Sequence, residues 1–205
     1  MAATRFPDGT FPDSPAPIRI AAVVDVTLAE GPGARLAVWV QGCALRCPAC
    51  CNPHMFDPDG GHLLGAGELL RRVDAVRGRI EGVTLLGGEP FEQAAALAPF
   101  AREVRRLGLS VVAFSGHLLE DLRADRPAGS AALLAEVDLL VDGPYVAALP
   151  ERERRWAGSA NQRFHFLSGR YSPGVEWIGP GGPERTVELR LGADGTMERS
   201  GWPEG

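Results

Sequence analysis

The feature that most constrains the fold is an alternation of short apolar segments with longer amphipathic ones along most of the chain. β-Branched and apolar runs predict strands at Ile18–Val26, Arg35–Val40, Val83–Leu86, Ser110–Phe114 and Val137–Val141. Helical periodicity predicts helices at Glu68–Arg77, Phe91–Leu107, Leu118–Arg123 and Ala131–Glu136. Strands that alternate with helices are typical of βαβ units, so we expect a parallel sheet covered by helices.

The length of the chain limits how complete such a fold can be. At 205 residues it is shorter than the roughly 250 residues of a closed eight-fold β/α barrel, so we expect an α/β fold that forms a partial, open barrel. Thr186–Leu191 and Thr196–Arg199 flank an Ala-Asp-Gly sequence at 193–195, which predicts a small C-terminal β-hairpin. We expect residues 1–16 to be a loosely ordered lead-in and residues 17–205 to form a single domain.

Two residues, Pro99 and Gly108, indicate where the helix predicted at Phe91–Leu107 is interrupted and where it ends. Pro99 lies within Phe91–Leu107 and is expected to kink or split that helix, because proline lacks the backbone N–H that a helix interior needs. Gly108 follows the same segment and is expected to end it.

Composition excludes several classes of function. A net charge of −5 argues against a non-specific binder of nucleic acid or of an anionic membrane surface, since both require a basic surface. No run approaches the ~18 apolar residues of a membrane span, and Met1–Pro17 lacks the apolar core of a secretory signal. All 21 basic residues are arginine, which excludes catalytic-lysine and P-loop chemistry.

The four cysteines of the chain all lie within nine residues, at Cys43, Cys47, Cys50 and Cys51. A disulfide framework would distribute them, so this clustering indicates a metal site in a reduced, cytoplasmic protein. The spacing C-x3-C-x2-C directly after a strand places three thiolates where they can bind three irons of one [4Fe–4S] cluster. The fourth iron then has no protein ligand unless Cys51 supplies it. Zinc, with His54 as a fourth ligand, is the alternative.

The cysteine motif resembles the signature of radical S-adenosylmethionine (SAM) enzymes. Further segments follow in the order seen in anaerobic ribonucleotide reductase activating proteins, and the resemblance covers roughly residues 18–200. These segments are Asp25–Arg35, Trp39–Cys43, the Gly-Gly-Glu-Pro turn Gly87–Pro90, Leu140–Gly143 and Gly158–Gln162. The resemblance implies a radical SAM type of open barrel with a [4Fe–4S] cluster and SAM as cofactors.

In that family, cluster-bound SAM is reduced and releases a 5′-deoxyadenosyl radical, so no catalytic residue is expected beyond the cofactors. The resemblance implies that Cys43, Cys47 and Cys50 bind the cluster. Gly87 and Gly88 would let the backbone approach the methionine part of SAM, and Glu89 would accept hydrogen bonds from its ammonium group. The resemblance also implies that Ala49 and Cys51 lie along the adenine of SAM. Ser115 and Asp142 each follow a predicted strand and could bind the ribose hydroxyls of SAM. The alternative for Cys51 is that it is a small buried apolar side chain. The alternative for Ser115 and Asp142 is a structural role in a turn or as a helix cap. The charged run Glu151–Arg155 is expected to be a solvated face.

Three functions are compatible with these residues. The first is an activase that installs a glycyl radical on a partner enzyme and receives electrons from a flavodoxin- or ferredoxin-type donor. The second is a stand-alone radical SAM enzyme that modifies a small metabolite or peptide. The third is a non-enzymatic zinc or cluster module, which has no need of the Gly-Gly-Glu turn. The absence of further cysteines excludes auxiliary clusters, which favours the activase among the enzymes.

Overall fold

The computed structural model describes residues 16–177, 186–191 and 197–201. The expected lead-in falls almost entirely outside these ranges. Within them the strands are β1 (Ile18–Thr27), β2 (Arg35–Val40), β3 (His62–Leu64), β4 (Gly82–Gly87), β5 (Ser110–Ser115), β6 (Leu139–Asp142), β7 (Arg163–Phe166), β8 (Glu188–Leu191) and β9 (Met197–Ser200). The α-helices are α1 (Ala66–Val76), α2 (Ala94–Arg106), α3 (Leu119–Arg123) and α4 (Ser130–Leu134).

In the described part of the chain, the first seven strands form one sheet in the order β3-β1-β2-β4-β5-β6-β7. The pairs from β2 to β6 are parallel, whereas β1, β3 and β7 join antiparallel at the two sides. The predicted α/β fold is therefore confirmed, and so is a parallel arrangement for the four central strands, whereas the sheet as a whole is mixed. The sheet is open, with β3 and β7 at its edges. Closure toward a barrel stays a prediction.

The two faces of the sheet have different coverings. On one face, apolar side chains of the sheet pack against α1, α2 and α4 in the main hydrophobic core, which is why β2, β4, β5 and β6 are buried almost throughout. On the other face a smaller cluster includes Trp39 and Leu86, with Phe114 packed against it. This second face carries no helix of the main core, and it forms the floor of the cavity described below.

A fully buried arginine fixes the amino ends of the central strands. The Arg35 guanidinium donates to Thr84 Oγ1 at 2.6 Å, to the Val83 carbonyl at 2.7 Å and to the Tyr171 hydroxyl at 2.9 Å. Burial lowers the pKa of Arg35, and the nearby Tyr171 acts in the opposite direction. These bonds join β2 to β4 and to the segment after β7, so they hold the sheet in register.

The helix predicted at Phe91–Leu107 is divided, but not by its proline. A 3₁₀ turn at Pro90–Gln93 precedes α2, which then runs continuously through Pro99. Pro99 lies near the start of α2, and its missing N–H removes only one helical hydrogen bond, to a carbonyl of the first turn, so the helix tolerates it. The expected split of the helix at Pro99 is therefore wrong. Gly108 ends the helix as predicted, with a left-handed φ of 82°.

The second, two-stranded sheet consists of β8 and β9, which pair antiparallel with Leu191 opposite Met197. The turn predicted at residues 193–195 lies outside the described residues, so the hairpin connection itself stays a prediction. Polar side chains of β8 attach it to the main sheet: Glu188 accepts from the Leu28 N–H at 2.7 Å, and Arg190 donates to the Val26 carbonyl at 3.0 Å. Among the described residues, no helix has both the length and the hydropathy to cross a membrane.

Candidate functional site

The carboxyl ends of the parallel strands meet at a cavity of about 550 Å³. Each strand is followed by a polar or glycine-rich segment at this edge, which is where open α/β sheets place their ligands. The floor contains Trp39, Leu86 and Phe114. Of the residues singled out in the sequence, those that line the cavity are Cys43, Cys47, Cys50, Cys51, Gly87, Gly88 and Ser115.

The cysteine loop leaves β2 and is closed at its base by backbone hydrogen bonds. The Gly42 N–H donates to the Met55 carbonyl at 2.9 Å, and the Cys43 N–H donates to the Phe56 carbonyl at 3.3 Å. The Glu92 carboxylate accepts from the Ala44 N–H at 2.9 Å, just past the first cysteine. A short loop tied at both ends therefore presents the cysteines to the cavity.

Two non-glycine residues of this loop have left-handed backbone conformations. The φ angle is 47° at Arg46 and 58° at Ala49, immediately before Cys47 and Cys50 respectively. Such angles are uncommon outside glycine and recur at functional sites. Each reverses the chain just before a cysteine, so three cysteines of one short segment reach the same cavity. Ala49 itself does not line the cavity.

All four cysteines are free thiols. Burial raises the pKa of Cys43 above its ordinary value. Cys51 is the most exposed of the four, yet loss of water around its thiol, followed by the nearby Cys50, raises its pKa to about 11. Three soft sulfur ligands on one loop suit an iron–sulfur cluster, which binds them as thiolates. In the described residues, no three His, Cys, Asp or Glu side chains are grouped to hold a single metal ion.

The Gly-Gly-Glu turn after β4 is bonded directly to the start of the cysteine loop. The Gly88 N–H donates to the Val40 carbonyl and the Glu89 N–H to the Gly42 carbonyl, both at 2.8 Å. A Cβ on Gly88 would lie 2.2 Å from the Gly42 carbonyl oxygen, and one on Gly87 would lie 2.7 Å from Trp39 Cα and the Val40 nitrogen. The two glycines therefore allow the ends of β2 and β4 to lie in close contact. This differs from the sequence-based expectation, in which the glycines serve a close approach of SAM to the backbone.

Glu89 carries a buried carboxylate that does not itself line the cavity, although its neighbours Gly88, Ser115 and Gly116 do. It is 1% exposed and accepts hydrogen bonds from the Gly116 N–H at 2.8 Å and from the Phe91 N–H and Ser115 hydroxyl at 3.0 Å. Burial raises its pKa to about 7, although these donors act in the opposite direction. No arginine or histidine within the described ranges forms an ion pair with it. A buried carboxylate bound only by neutral donors fits a cationic group of a ligand.

The pKa of Glu89 predicts how stability depends on pH. Because the folded protein holds this proton more tightly than the unfolded chain, its contribution is complete below pH 4.5 and is lost as pH rises through about 7. The loss is on the order of 3 kcal/mol. We expect urea unfolding of the iron-free protein between pH 5 and 8 to show this decline, and Glu89→Gln to reduce its slope. Glu68→Gln, on the exposed side of α1, is the control. An equal slope in the parent and in Glu89→Gln would contradict the raised pKa.

Ser115 and Asp142 follow β5 and β6 but differ in their positions. Ser115 lines the cavity, while its hydroxyl donates to Glu89 and accepts from the His117 N–H at 3.0 Å. Asp142 is fully buried and does not line the cavity. Its carboxylate accepts from the Leu119 N–H at 2.6 Å and from Arg163 Nε at 2.9 Å. Burial alone would raise the pKa of Asp142, but Arg163 and the other donors hold it below its ordinary value. Asp142 therefore caps α3 and anchors β7, and the geometry gives no support to ribose binding.

The β6–β7 connection supplies cavity residues that the sequence interpretation missed. The run Glu151–Arg155 is only partly the solvated face that was expected. Arg152 and Glu153 are exposed, but Glu151 is 7% exposed, and Arg155 lines the cavity together with Trp156. The Gln162 side chain braces this connection by accepting from the Gly158 N–H at 2.8 Å and donating to the Gly143 carbonyl at 3.1 Å. The available signal was the Gly-Ser-x-Asn-Gln segment, whose side chains hold the loop over the cavity.

The fold and site define a protein that holds one iron–sulfur cluster. The family model described as "4Fe-4S single cluster domain" matches residues 29–165, and the chain belongs to this family. It is 26% identical over 149 residues to the anaerobic ribonucleoside-triphosphate reductase-activating protein of Escherichia coli, covering 69% of this chain and 94% of that protein. The Haemophilus influenzae protein of the same name is 28% identical over 143 residues, covering 66% and 90%. The resemblance to activating proteins that the sequence indicated is confirmed.

Among solved structures, QueE from Escherichia coli matches with a TM-score of 0.38 and 16% identity, over 49% of this chain and 52% of that one. A likeness this low supports no argument about fold or function.

Proposed function

We propose that this chain is a radical SAM activating enzyme that installs a glycyl radical on a partner enzyme of the anaerobic ribonucleotide reductase type. The observation that carries the proposal is the direct bonding of the Gly-Gly-Glu turn to the residues that open the cysteine loop, at the edge of one cavity. The names of the relatives, which are reductase-activating proteins, support the same conclusion.

The residues of the site fit the two cofactors. Cys43, Cys47 and Cys50 would hold the [4Fe–4S] cluster, and their number leaves one iron open for the amino and carboxylate groups of SAM. When bound, a cluster reduced by an external donor would pass one electron to the sulfonium of SAM, which would give methionine and a 5′-deoxyadenosyl radical able to take a hydrogen atom from the target glycine. The protein's task is to bind, orient and exclude water.

Each wall of the cavity has a part in that task. Glu89 would accept a hydrogen bond from the amino group of SAM that binds the open iron. The Trp39, Leu86 and Phe114 floor would keep water away from the reacting carbon. Cys51 lines the cavity beside the cluster ligands, and its contact with SAM is part of this proposal.

The partner and the electron donor follow from the relatives' activity rather than from the site. An activase needs a glycyl-radical enzyme as its substrate and a low-potential donor of the flavodoxin or ferredoxin type. The alternative, a stand-alone enzyme acting on a metabolite or peptide, has the same cofactor chemistry. The match of a single-cluster family model, in a chain with four cysteines in total, favours the activase.

The test combines the anaerobically reconstituted protein with SAM, a strong one-electron reductant and the anaerobic ribonucleotide reductase of the same organism. We expect 5′-deoxyadenosine and methionine to form in equal amounts. Electron paramagnetic resonance should show a doublet glycyl signal on the reductase, and Cys47→Ala should abolish both products and signal. Deoxyadenosine that forms in step with a modified small molecule, with no glycyl signal, would replace this proposal with the tailoring alternative.

A further inference from the structure

Arg155 stands out among the arginines near the cavity because its Nε has no hydrogen-bond partner among the described residues. The side chain lines the cavity, and its Nε is buried from solvent without a hydrogen-bond acceptor. A buried donor at a positive charge is costly to leave unbonded, since charged groups lose the most on desolvation. A ligand in the cavity that carries a hydrogen-bond acceptor would satisfy this donor.

The charged side chains near Arg155 have hydrogen-bond partners other than Arg155. Arg154 donates through Nε to the Glu151 carboxylate at 2.6 Å and through Nη1 to the Gln162 carbonyl at 2.8 Å. The Glu176 carboxylate accepts from the Gly174 N–H at 2.8 Å. Neither acidic side chain forms an ion pair with Arg155 in the described part of the structure.

The backbone around Arg155 is held in place, so its position does not depend on a free loop. Its N–H donates to the Glu176 carbonyl at 2.7 Å, and Arg154 and Trp177 form an antiparallel bridge beside it. The next residue, Trp156, has a left-handed φ of 64°, an uncommon angle for an aromatic residue. This fixed turn directs two consecutive side chains to the cavity wall.

We propose that Arg155 is a binding residue for the carboxylate of SAM, which rests on the function proposed above. The carboxylate is the permanent anion of SAM, and one of its oxygens stays free when the other binds iron. A guanidinium presents several donors in a plane that matches a carboxylate, and the same cavity contains the cluster loop.

The experiment measures equilibrium binding of SAM and of decarboxylated SAM to the oxidised, reconstituted protein without reductant, so that no cleavage occurs. The variants are Arg155→Gln, Arg155→Lys and the control Arg152→Gln, which removes an exposed arginine from the same connection. We expect Arg155→Gln to weaken SAM binding about 10- to 100-fold, with a smaller loss in Arg155→Lys and none in Arg152→Gln. Iron content and circular dichroism should match the parent.

Decarboxylated SAM isolates the contact. This analogue lacks one iron ligand and therefore binds even the parent protein less tightly than SAM does. The quantity to compare is the further loss of affinity that Arg155→Gln causes for each of the two ligands. We expect Arg155→Gln to add no further loss with this analogue. An equal loss for both ligands, or no loss for either, would overturn the assignment of Arg155. Failure of the parent itself to bind SAM would instead overturn the proposed function.

Discussion

Replacing any one of Cys43, Cys47 and Cys50 with alanine is expected to abolish the [4Fe–4S] cluster, the largest effect we predict. Each thiolate would bind one iron of the cluster, so the loss of one cysteine would leave a second iron without a protein ligand. Protein purified without oxygen should contain about four iron atoms and four sulfides per chain. The variants should contain almost none, and SAM cleavage should fall to background.

Cys51→Ala is the matched control, because it removes a thiol from the same loop without removing an expected ligand. We expect it to retain the cluster and its visible absorbance. Loss of the cluster in Cys51→Ala alone would mean that the loop binds iron through a different set of cysteines. Tightly bound zinc, with no iron after anaerobic reconstitution, would contradict the entire enzymatic interpretation.

The second large effect is expected from Gly88→Ala. The new methyl carbon would lie 2.2 Å from the Gly42 carbonyl oxygen, which is backbone and cannot rotate away. We expect the free energy of unfolding to fall by about 3 kcal/mol. Because Gly42 directly precedes Cys43, the displacement should also impair cluster binding. Urea unfolding and the iron content after reconstitution measure the two effects.

Gly78→Ala is the control, since a Cβ there would contact nothing within 4 Å. It should leave both stability and iron content unchanged. A Gly88→Ala protein that keeps full stability and a full cluster but binds SAM poorly would show that the glycine serves the ligand instead of the packing of the two strand ends.

The central strands were predictable because buried strands require apolar side chains, and such runs are visible in the sequence. β2, β4 and β5 are mostly apolar, because their side chains pack into the main core on one face of the sheet and into the smaller cluster on the other. The two edge strands of the sheet were missed. β3 has three residues, and β7 has the sequence Arg-Phe-His-Phe with every residue partly exposed, so neither shows the pattern of a buried strand.

The site was predictable where its residues are close in sequence and much less so where partners are distant. The cysteine loop and the Gly-Gly-Glu turn both reach the cavity, as their motifs indicated. The partner of Asp142 is Arg163 on the next strand, and nothing in the local sequence signals that pairing. The cavity position of Arg155 was not predicted, because its neighbours in the sequence are charged and resemble a solvated run. The burial of Glu151 in that run becomes visible only in the fold.

The connection from β2 to β4 has a consequence for the order of folding. These strands are adjacent and parallel, yet the cysteine loop, β3 and α1 all lie between them in sequence. The three cysteines are local in the chain, whereas the contact between Gly42 and Gly88 requires closure of this entire connection, which makes it a slow, non-local step. The loop can therefore meet iron before the sheet is complete, but the cysteine loop and the Gly-Gly-Glu turn become one structure only when β4 joins β2.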